Sequence, residues 1–216
     1  VIRPDYIGTG RSDGKFSFKS TIDTIYECLD LFSGHITALN IPENKPLPKI
    51  VMKNFILSGG SFGGCVAPFV DLYHKTPISD ILLIMPVSDW STMNPPHYQG
   101  DETTEEIENV MSIALKNIWR GYSSSEWPQI IKGKLKKYNP IDNTHLLKNK
   151  RVHIYHGTKD KSVNWKDSLK YYQKIKTEKL VKSVTFEKLA NHSHSKRASA
   201  EAMRRFINIY KKTNKI

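Results

Sequence analysis

The sequence has little cysteine and lacks any long apolar run. Two of its 216 residues are cysteines, Cys28 and Cys65, which are too few to form a disulfide framework. No stretch of about 18 consecutive apolar residues occurs, so we expect no membrane-spanning helix. The first residues of the sequence do not form a basic segment followed by an apolar one, which is the pattern of a signal peptide. These absences favour a globular domain of moderate size in the reducing cytoplasm.

Clusters of metal-binding side chains are missing as well. Neither cysteine has the spacing of a zinc site. The nearest candidate, the histidine pair His192 and His194, has no further ligands beside it. We therefore expect neither a metal ion nor a cofactor.

Acidic residues are scarce in the second half of the chain. The net charge is +12, yet residues 1–108 carry 8 Lys and Arg against 14 Asp and Glu, whereas residues 109–216 carry 25 against 7. A basic half can serve an anionic partner. The lysines are scattered, however, and no stacking aromatic residues are interleaved with them as in nucleic-acid-binding modules. We interpret the lysines as a solvated face and expect no nucleic acid as a partner.

The sequence does contain a serine flanked by glycines, Ser61, in the stretch Gly59-Gly60-Ser61-Phe62-Gly63. An apolar run precedes the stretch and a small, apolar segment follows it, which predicts a strand, a sharp turn and a helix. A serine at such a turn can be held in a strained backbone conformation that lifts its hydroxyl clear of the sheet. The stretch predicts a nucleophilic serine, although a glycine-rich turn that merely contains serine has the same pattern.

Strand and helix patterns alternate along most of the chain. Ile81–Met85 is a continuous apolar run, which is typical of a strand buried on both faces. The alternation predicts an α/β protein with a mostly parallel sheet and helices on both faces. The predicted strands are the end of one at Val1–Tyr6, then Ile50–Leu57, Ile81–Met85, Val152–Tyr155 and Val184–Leu189, and the predicted helices are Thr21–Phe32, Ser61 to about His74, Trp165–Ile175 and Ala198–Tyr210.

One segment breaks this alternation. Residues 90–149 include an amphipathic stretch from Ile107 to Trp119 but no apolar run of the kind that forms a buried strand. We interpret them as a small helical lid inserted into a core of residues 1–89 and 150–216. Three tryptophans of this segment could line a substrate pocket or pack in the core: Trp90, Trp119 and Trp127.

A serine hydroxyl becomes a good nucleophile when a base takes its proton, and the base is usually a histidine oriented by a carboxylate. Asp160 follows the predicted strand Val152–Tyr155 in a glycine-containing turn, so we predict that it is this carboxylate. Asp89, which follows an earlier strand, is the competing candidate. Two histidines, His192 and His194, follow the last predicted strand. The order serine, acid, histidine, each after its own strand, favours a catalytic triad.

Four stretches of the sequence resemble the α/β-hydrolases, in particular their serine esterase and peptidase-like group. They are similar, in turn, to the loop after that family's fourth strand, its nucleophile turn, its acid loop and its histidine loop: Asp5–Gly14, Leu57–Gly64, His156–Asp160 and Ala190–His194. The resemblance spans nearly the whole chain outside residues 90–149. It implies the α/β-hydrolase fold with a lid.

The resemblance also implies roles for individual residues. In the family's histidine loop a small or polar residue precedes the base and an aromatic residue often follows two positions later. This match favours His192 as the base, with His194 in the aromatic residue's place, whereas counting from the strand Val184–Leu189 permits His194 as the alternative base. The backbone N–H of Phe62 would be one donor of the oxyanion hole. The family's other donor comes from a loop upstream of the position of Asp5, so we expect an upstream segment or another element to supply it.

Three functional hypotheses follow. The first is a serine hydrolase that cleaves small-molecule carboxylic esters through an acyl-enzyme intermediate. The second keeps the triad and changes the substrate to a peptide, as in an aminopeptidase, or to a thioester. The third is a non-catalytic, hydrolase-like binding module whose basic half contacts an anionic partner.

Overall fold

A computed structural model describes residues 1–40, 42–52, 54–72, 78–93, 118–123 and 125–214. Within these ranges, every helix is too short or too polar to cross a bilayer. Most of the amphipathic stretch predicted from Ile107 to Trp119 lies outside the described residues. The division into a core and a lid at residues 90–149 therefore stays a prediction.

The centre of the fold is a parallel sheet of four strands. A small antiparallel pair, β1 (Leu39–Asn40) and β2 (Lys45–Pro46), comes before it in the chain. The sheet consists of β3 (Phe55–Gly60), β4 (Ile78–Ile84), β5 (Arg151–Gly157) and β6 (Ser183–Leu189), in the order β3-β4-β5-β6. Because all the pairings in this sheet are parallel, the carboxyl ends of its strands reach the same edge.

Helices cover both faces of this sheet, as the alternation of patterns predicted. The α-helices of the described residues are α1 (Phe18–Ser33), α2 (Phe62–Val66), α3 (Trp127–Ile131), α4 (Trp165–Glu178) and α5 (Lys196–Asn214). On β4, Ile81 and Leu83 belong to a core shared with α1, α2 and α4. Leu82 and Ile84 belong to a second core shared with α5. Neighbouring residues of β4 thus face opposite layers, which is the two-residue period of a strand.

Helix α4 shows how the local sequence places a buried face against the sheet. It begins after Asn164, whose side chain accepts a hydrogen bond from the N–H of Lys166 at 3.0 Å and so caps the helix. Ser168, Tyr171 and Ile175 are buried and recur at three- and four-residue steps, so they form one face of the helix. This face packs beside β5 and β6.

Two predicted strands differ from the structure. The opening Val1–Tyr6, predicted as the end of a strand, has no regular secondary structure. β3 begins at Phe55 rather than at Ile50, because its ladder to β4 starts at the pair of Phe55 and Ile78. Residues ahead of that pair lack a neighbouring strand among the described residues, and Val51 is 61% exposed.

The helix after Ser61 is also shorter than predicted. α2 ends at Val66, and a 3₁₀-helix over Ala67–Leu72 continues the chain. The change of geometry follows from Pro68, which has no N–H to donate to the carbonyl four residues earlier. The predicted end near His74 lies outside the described residues.

Candidate active site

Ser61 lies at the turn between β3 and α2, at the carboxyl edge of the sheet. Its backbone has φ 52° and ψ −122°, a conformation that costs a residue with a side chain roughly 1–3 kcal/mol. The Ser61 N–H donates to the carbonyl oxygen of Ile84 at 3.0 Å. The Ser61 carbonyl accepts from the N–H groups of Gly64 and Val87, at 3.0 and 3.2 Å. These bonds hold the strained backbone of the turn in place.

One glycine of the turn is required by close packing. A Cβ atom on Gly59 would lie 2.1 Å from the carbonyl oxygen of Gly63, so no other residue fits there without a shift of α2. Gly60 differs, since the atom nearest to its Cβ position is the carbonyl oxygen of Ile84 at 3.4 Å. The helix can therefore approach the end of β3 only because residue 59 has no side chain.

Phe62 is the first residue of α2, and its N–H donates no hydrogen bond to any described residue. An N–H in the first turn of a helix has no intrahelical acceptor, so this donor is available to a ligand. The ring of Phe62 lies 5.6 Å from Trp127, 6.1 Å from Trp119 and 6.2 Å from Phe16, between centroids. Trp127 and Trp90 are buried in the core, whereas Trp119 is only half-buried. Trp119 is thus the only one of these three tryptophans with a partly exposed side chain, and its ring also stacks on Phe16 at 4.2 Å between centroids.

Asp160 lies in the turn after β5, with its carboxylate fully buried. Its Oδ1 accepts the backbone N–H groups of Ser162 and Val163, at 3.0 and 2.9 Å. Its Oδ2 lies 2.7 Å from Nδ1 of His194 and 3.2 Å from Nε2 of His156. Burial alone would raise the pKa of this carboxyl, but the hydrogen bonds from the two histidines and from Val163 hold it well below its usual value. Asp160 is therefore ionised.

The histidine that contacts this acid is His194, the alternative of the sequence analysis. The preferred candidate, His192, makes no hydrogen bond to Asp160 in the structure. Its backbone carbonyl accepts the N–H of Lys159 at 2.9 Å, and its side chain lines a shallow surface cavity beside α5. The structure thus brings Asp160 and His194 together and leaves His192, which is half-buried like His194, without a bond to the acid.

Asp89, the competing acid, is hydrogen-bonded to a serine of its own turn and to an asparagine of a later segment. Its Oδ1 accepts hydrogen bonds from the N–H and hydroxyl of Ser91, at 3.0 and 2.7 Å. The same oxygen accepts from the side-chain amide of Asn139 at 3.0 Å. These bonds stabilise the 3₁₀-turn Trp90–Met93 and tie it to a later segment of the chain. No described histidine bonds to Asp89.

The turns that carry the candidate residues begin at a similar height on the sheet. The ladder pairs Gly60 with Ile84 and Ile84 with Tyr155. The last residue of β3 is therefore level with a residue two positions before the end of β5, and Ser61 follows it directly. Asp160 follows that end by three residues. The side chain of Ser61 is partly exposed and makes no hydrogen bond within the described part of the chain.

Two buried residues beside the acid were missed by sequence reasoning, His156 and Ser168. His156 lies on the same face of β5 as Ile154, which is a core position. Ser168 lies on the buried face of α4 with Tyr171. In each case the sequence has a polar residue at a position where the strand or helix pattern calls for an apolar one, and this mismatch could have drawn attention to them. His156 also precedes Asp160 by only four residues.

Comparison with known proteins identifies the fold of this chain but no close relative. No protein-family model matches the sequence, and no curated protein matches it. Among solved structures, an esterase of Pyrococcus furiosus is 17% identical with a TM-score of 0.59, over 97% of this chain and 68% of that one. An α/β-hydrolase from a Penicillium species is 14% identical with a TM-score of 0.56, over 96% of this chain and 78% of that one.

Puromycin hydrolase is a further similar structure. It is 12% identical with a TM-score of 0.55, over 91% of this chain. The chain spans only 26% of the length of that enzyme. Identities this low reflect a shared arrangement of strands and helices rather than a shared substrate. The chain has the α/β-hydrolase fold.

Proposed function

We propose that this protein is a serine hydrolase that cleaves carboxylic esters of small molecules through an acyl-enzyme intermediate. The observation that carries the proposal is the strained turn at Ser61, located at the same sheet edge as the hydrogen-bonded pair Asp160 and His194. The similarity in fold to esterases supports it.

In the first half of the proposed reaction, the Ser61 hydroxyl attacks the carbonyl carbon of the ester. Nε2 of His194 takes the hydroxyl proton as the new C–O bond forms. The Phe62 N–H donates a hydrogen bond to the oxyanion of the tetrahedral intermediate. The intermediate collapses when the alkoxide leaves with the proton that His194 returns, and the acyl group stays on Ser61.

In the second half, water replaces the alcohol. His194 takes a proton from water as its oxygen attacks the acyl carbon, then returns that proton to Ser61 as the carboxylic acid departs. Asp160 accepts the hydrogen bond from Nδ1 of His194 throughout. By accepting from Nδ1, the carboxylate selects the tautomer whose Nε2 can take a proton, and its charge stabilises the imidazolium that then forms.

A fluorophosphonate probe tests the nucleophile. We expect the purified protein to be labelled covalently, and Ser61→Ala not to be labelled. Ser58→Ala is the matched control, because Ser58 is an exposed serine of β3, the strand that leads into the Ser61 turn. Equal labelling of wild type and Ser61→Ala would remove Ser61 from the mechanism.

The substrate class is tested by comparing leaving groups. The runner-up function, hydrolysis of a peptide or a thioester, uses the same residues and differs only in what the pocket accepts. We expect a short-chain aryl ester to turn over faster than an aminoacyl arylamide or an acyl thioester with the same acyl group. Faster turnover of the arylamide would favour an aminopeptidase, and faster turnover of the thioester a thioesterase.

A further inference from the structure

A fully buried histidine lies directly beneath the candidate triad and has no part in the reaction as described above. His156 is 0% exposed and is the last residue but one of β5. Burying an imidazole in a core costs free energy unless both ring nitrogens find partners. The partners of His156 therefore indicate why a polar residue is placed there.

Both ring nitrogens of His156 are hydrogen-bonded. Nε2 lies 3.0 Å from the carbonyl oxygen of Val163 and 3.2 Å from Oδ2 of Asp160. Nδ1 lies 2.8 Å from the hydroxyl of Ser168. A carbonyl and an ionised carboxylate only accept, so Nε2 must carry a proton. The Ser168 hydroxyl can donate to Nδ1, so each ring nitrogen has a partner.

His156 also contacts the carboxylate of Asp160, next to the three groups that hydrogen-bond to it. A carboxylate has about four lone-pair positions for hydrogen bonds. On Asp160, two are filled by the N–H groups of Ser162 and Val163 on Oδ1. His156 and His194 share the other oxygen, Oδ2. The catalytic histidine is thus held by an oxygen whose position a buried histidine also fixes.

We propose that His156 is a positioning residue for catalysis, which acts through Asp160 and is itself oriented by Ser168. Its Nε2–H lies between the Val163 carbonyl, at 3.0 Å, and Oδ2 of Asp160, at 3.2 Å, so the ring fixes both the turn that follows Asp160 and the position from which Oδ2 binds His194. The proposal rests on the proposed function, since it assumes that Asp160 and His194 act on Ser61.

Two nearly isosteric substitutions separate this role from mere core packing. Glutamine places an amide N–H near the position of Nε2, whereas methionine fills similar volume without a donor. We expect His156→Met to lower kcat about 10- to 100-fold with KM changed less than about twofold, because a small displacement of a catalytic group is costly. We expect His156→Gln to stay within about threefold of wild type. Equal kcat for the two variants, at equal folded fraction, would overturn the proposal.

A second measurement does not depend on turnover. The proton on Nδ1 of His194, bound to a buried carboxylate, is expected as a downfield ¹H NMR signal that His194→Gln removes. The proposal requires that signal to shift or broaden in His156→Met and to persist in His156→Gln. An unchanged signal in His156→Met would contradict it even if the protein hydrolyses no ester. Absence of Ser61-dependent labelling in wild type would instead contradict the proposed function alone.

Discussion

At the scale of single residues, the identity of the base depends on the path of the backbone rather than on the sequence pattern. His192 and His194 lie in one short loop, and both follow the strand by a few residues. A Cβ atom on Gly157 would lie 2.3 Å from the carbonyl oxygen of His192, so the histidine loop lies directly against the end of β5. This contact fixes the backbone at His192, and the side chain that reaches Asp160 is that of His194, two residues later. Such a contact between distant segments cannot be read from the local sequence.

Separate substitutions of the two histidines test this assignment. We expect His194→Ala to lower kcat/KM for an ester by roughly 10⁴-fold or more, because a triad without its base keeps only binding and oxyanion stabilisation. We expect His192→Ala, as the matched control in the same loop, to change it less than about threefold. Steady-state kinetics on both variants decide the matter. A larger loss in His192→Ala would return the role of base to His192.

The two glycines before Ser61 give a residue-scale prediction on stability. Gly59→Ala would place a methyl group 2.1 Å from the carbonyl oxygen of Gly63, so α2 must move. We expect the free energy of unfolding to fall by about 3 kcal/mol, at the upper end for overpacking. Gly60→Ala meets its nearest atom at 3.4 Å and should change it by less than about 1 kcal/mol. Urea denaturation of both variants provides the comparison, and equal midpoints would contradict the packing argument.

At the scale of elements, apolar periodicity predicted the strands and helices that flank the site, but not all of their ends. β5 and β6 were placed within a few residues because their apolar runs coincide with their ladders. β3 was predicted too early because the apolar residues Ile50–Met52 precede it, whereas pairing with β4 begins at Phe55. A strand ends where its neighbour ends, and that partner is set by tertiary structure.

The short helix α3 belongs to the segment predicted as a lid, and it packs against Phe62, the residue after Ser61. Trp127 is 0% exposed, and its ring lies 5.4 Å from Phe16 and 5.6 Å from Phe62, between centroids. We expect Trp127→Ala to lower the free energy of unfolding by about 3–5 kcal/mol, the usual cost of removing a large buried ring.

A control on a less buried ring belongs with that prediction. Trp165 is half-buried, and its main described contact is the ammonium of Lys188 at 4.0 Å from the ring centroid. Trp165→Ala should therefore cost only about 1 kcal/mol. Urea unfolding curves that shift equally for the two variants would show that Trp127 does not anchor α3 on the core.

At the scale of the whole molecule, the alternation of strand and helix patterns predicted the α/β layers correctly. The candidate serine, acid and histidine follow strands whose carboxyl ends share one edge of the sheet, as their order in the chain led us to expect, and their role in catalysis stays a prediction. The support beneath the acid was not predicted. It depends on a contact in the core between His156 of β5 and Ser168 of α4. The apolar pattern of a strand or helix predicts which residues are buried, but not which residue of another element each one contacts.

The ionised carboxylate of Asp160 makes the stability of the whole fold dependent on pH. Its pKa lies well below its usual value in the folded protein, because His156, His194 and Val163 donate to it. An unfolded chain has the ordinary aspartate pKa of about 3.9. Below that pH the unfolded chain binds a proton that the folded protein does not, so stability falls as pH falls. Above about pH 5 both states are ionised, and the contribution of Asp160 is present in full.

Asp160→Asn removes this titration and so isolates it. We expect the variant to be less stable than wild type by roughly 3 kcal/mol at pH 5, because buried donors lose a charged acceptor. The difference should shrink by about 1 kcal/mol between pH 5 and pH 3, where the unfolded wild-type chain becomes protonated. Urea denaturation of both proteins at the two pH values measures the change. A difference that stays constant would mean that Asp160 protonates alike in the folded and unfolded states, and that the four donors around it do not hold its charge.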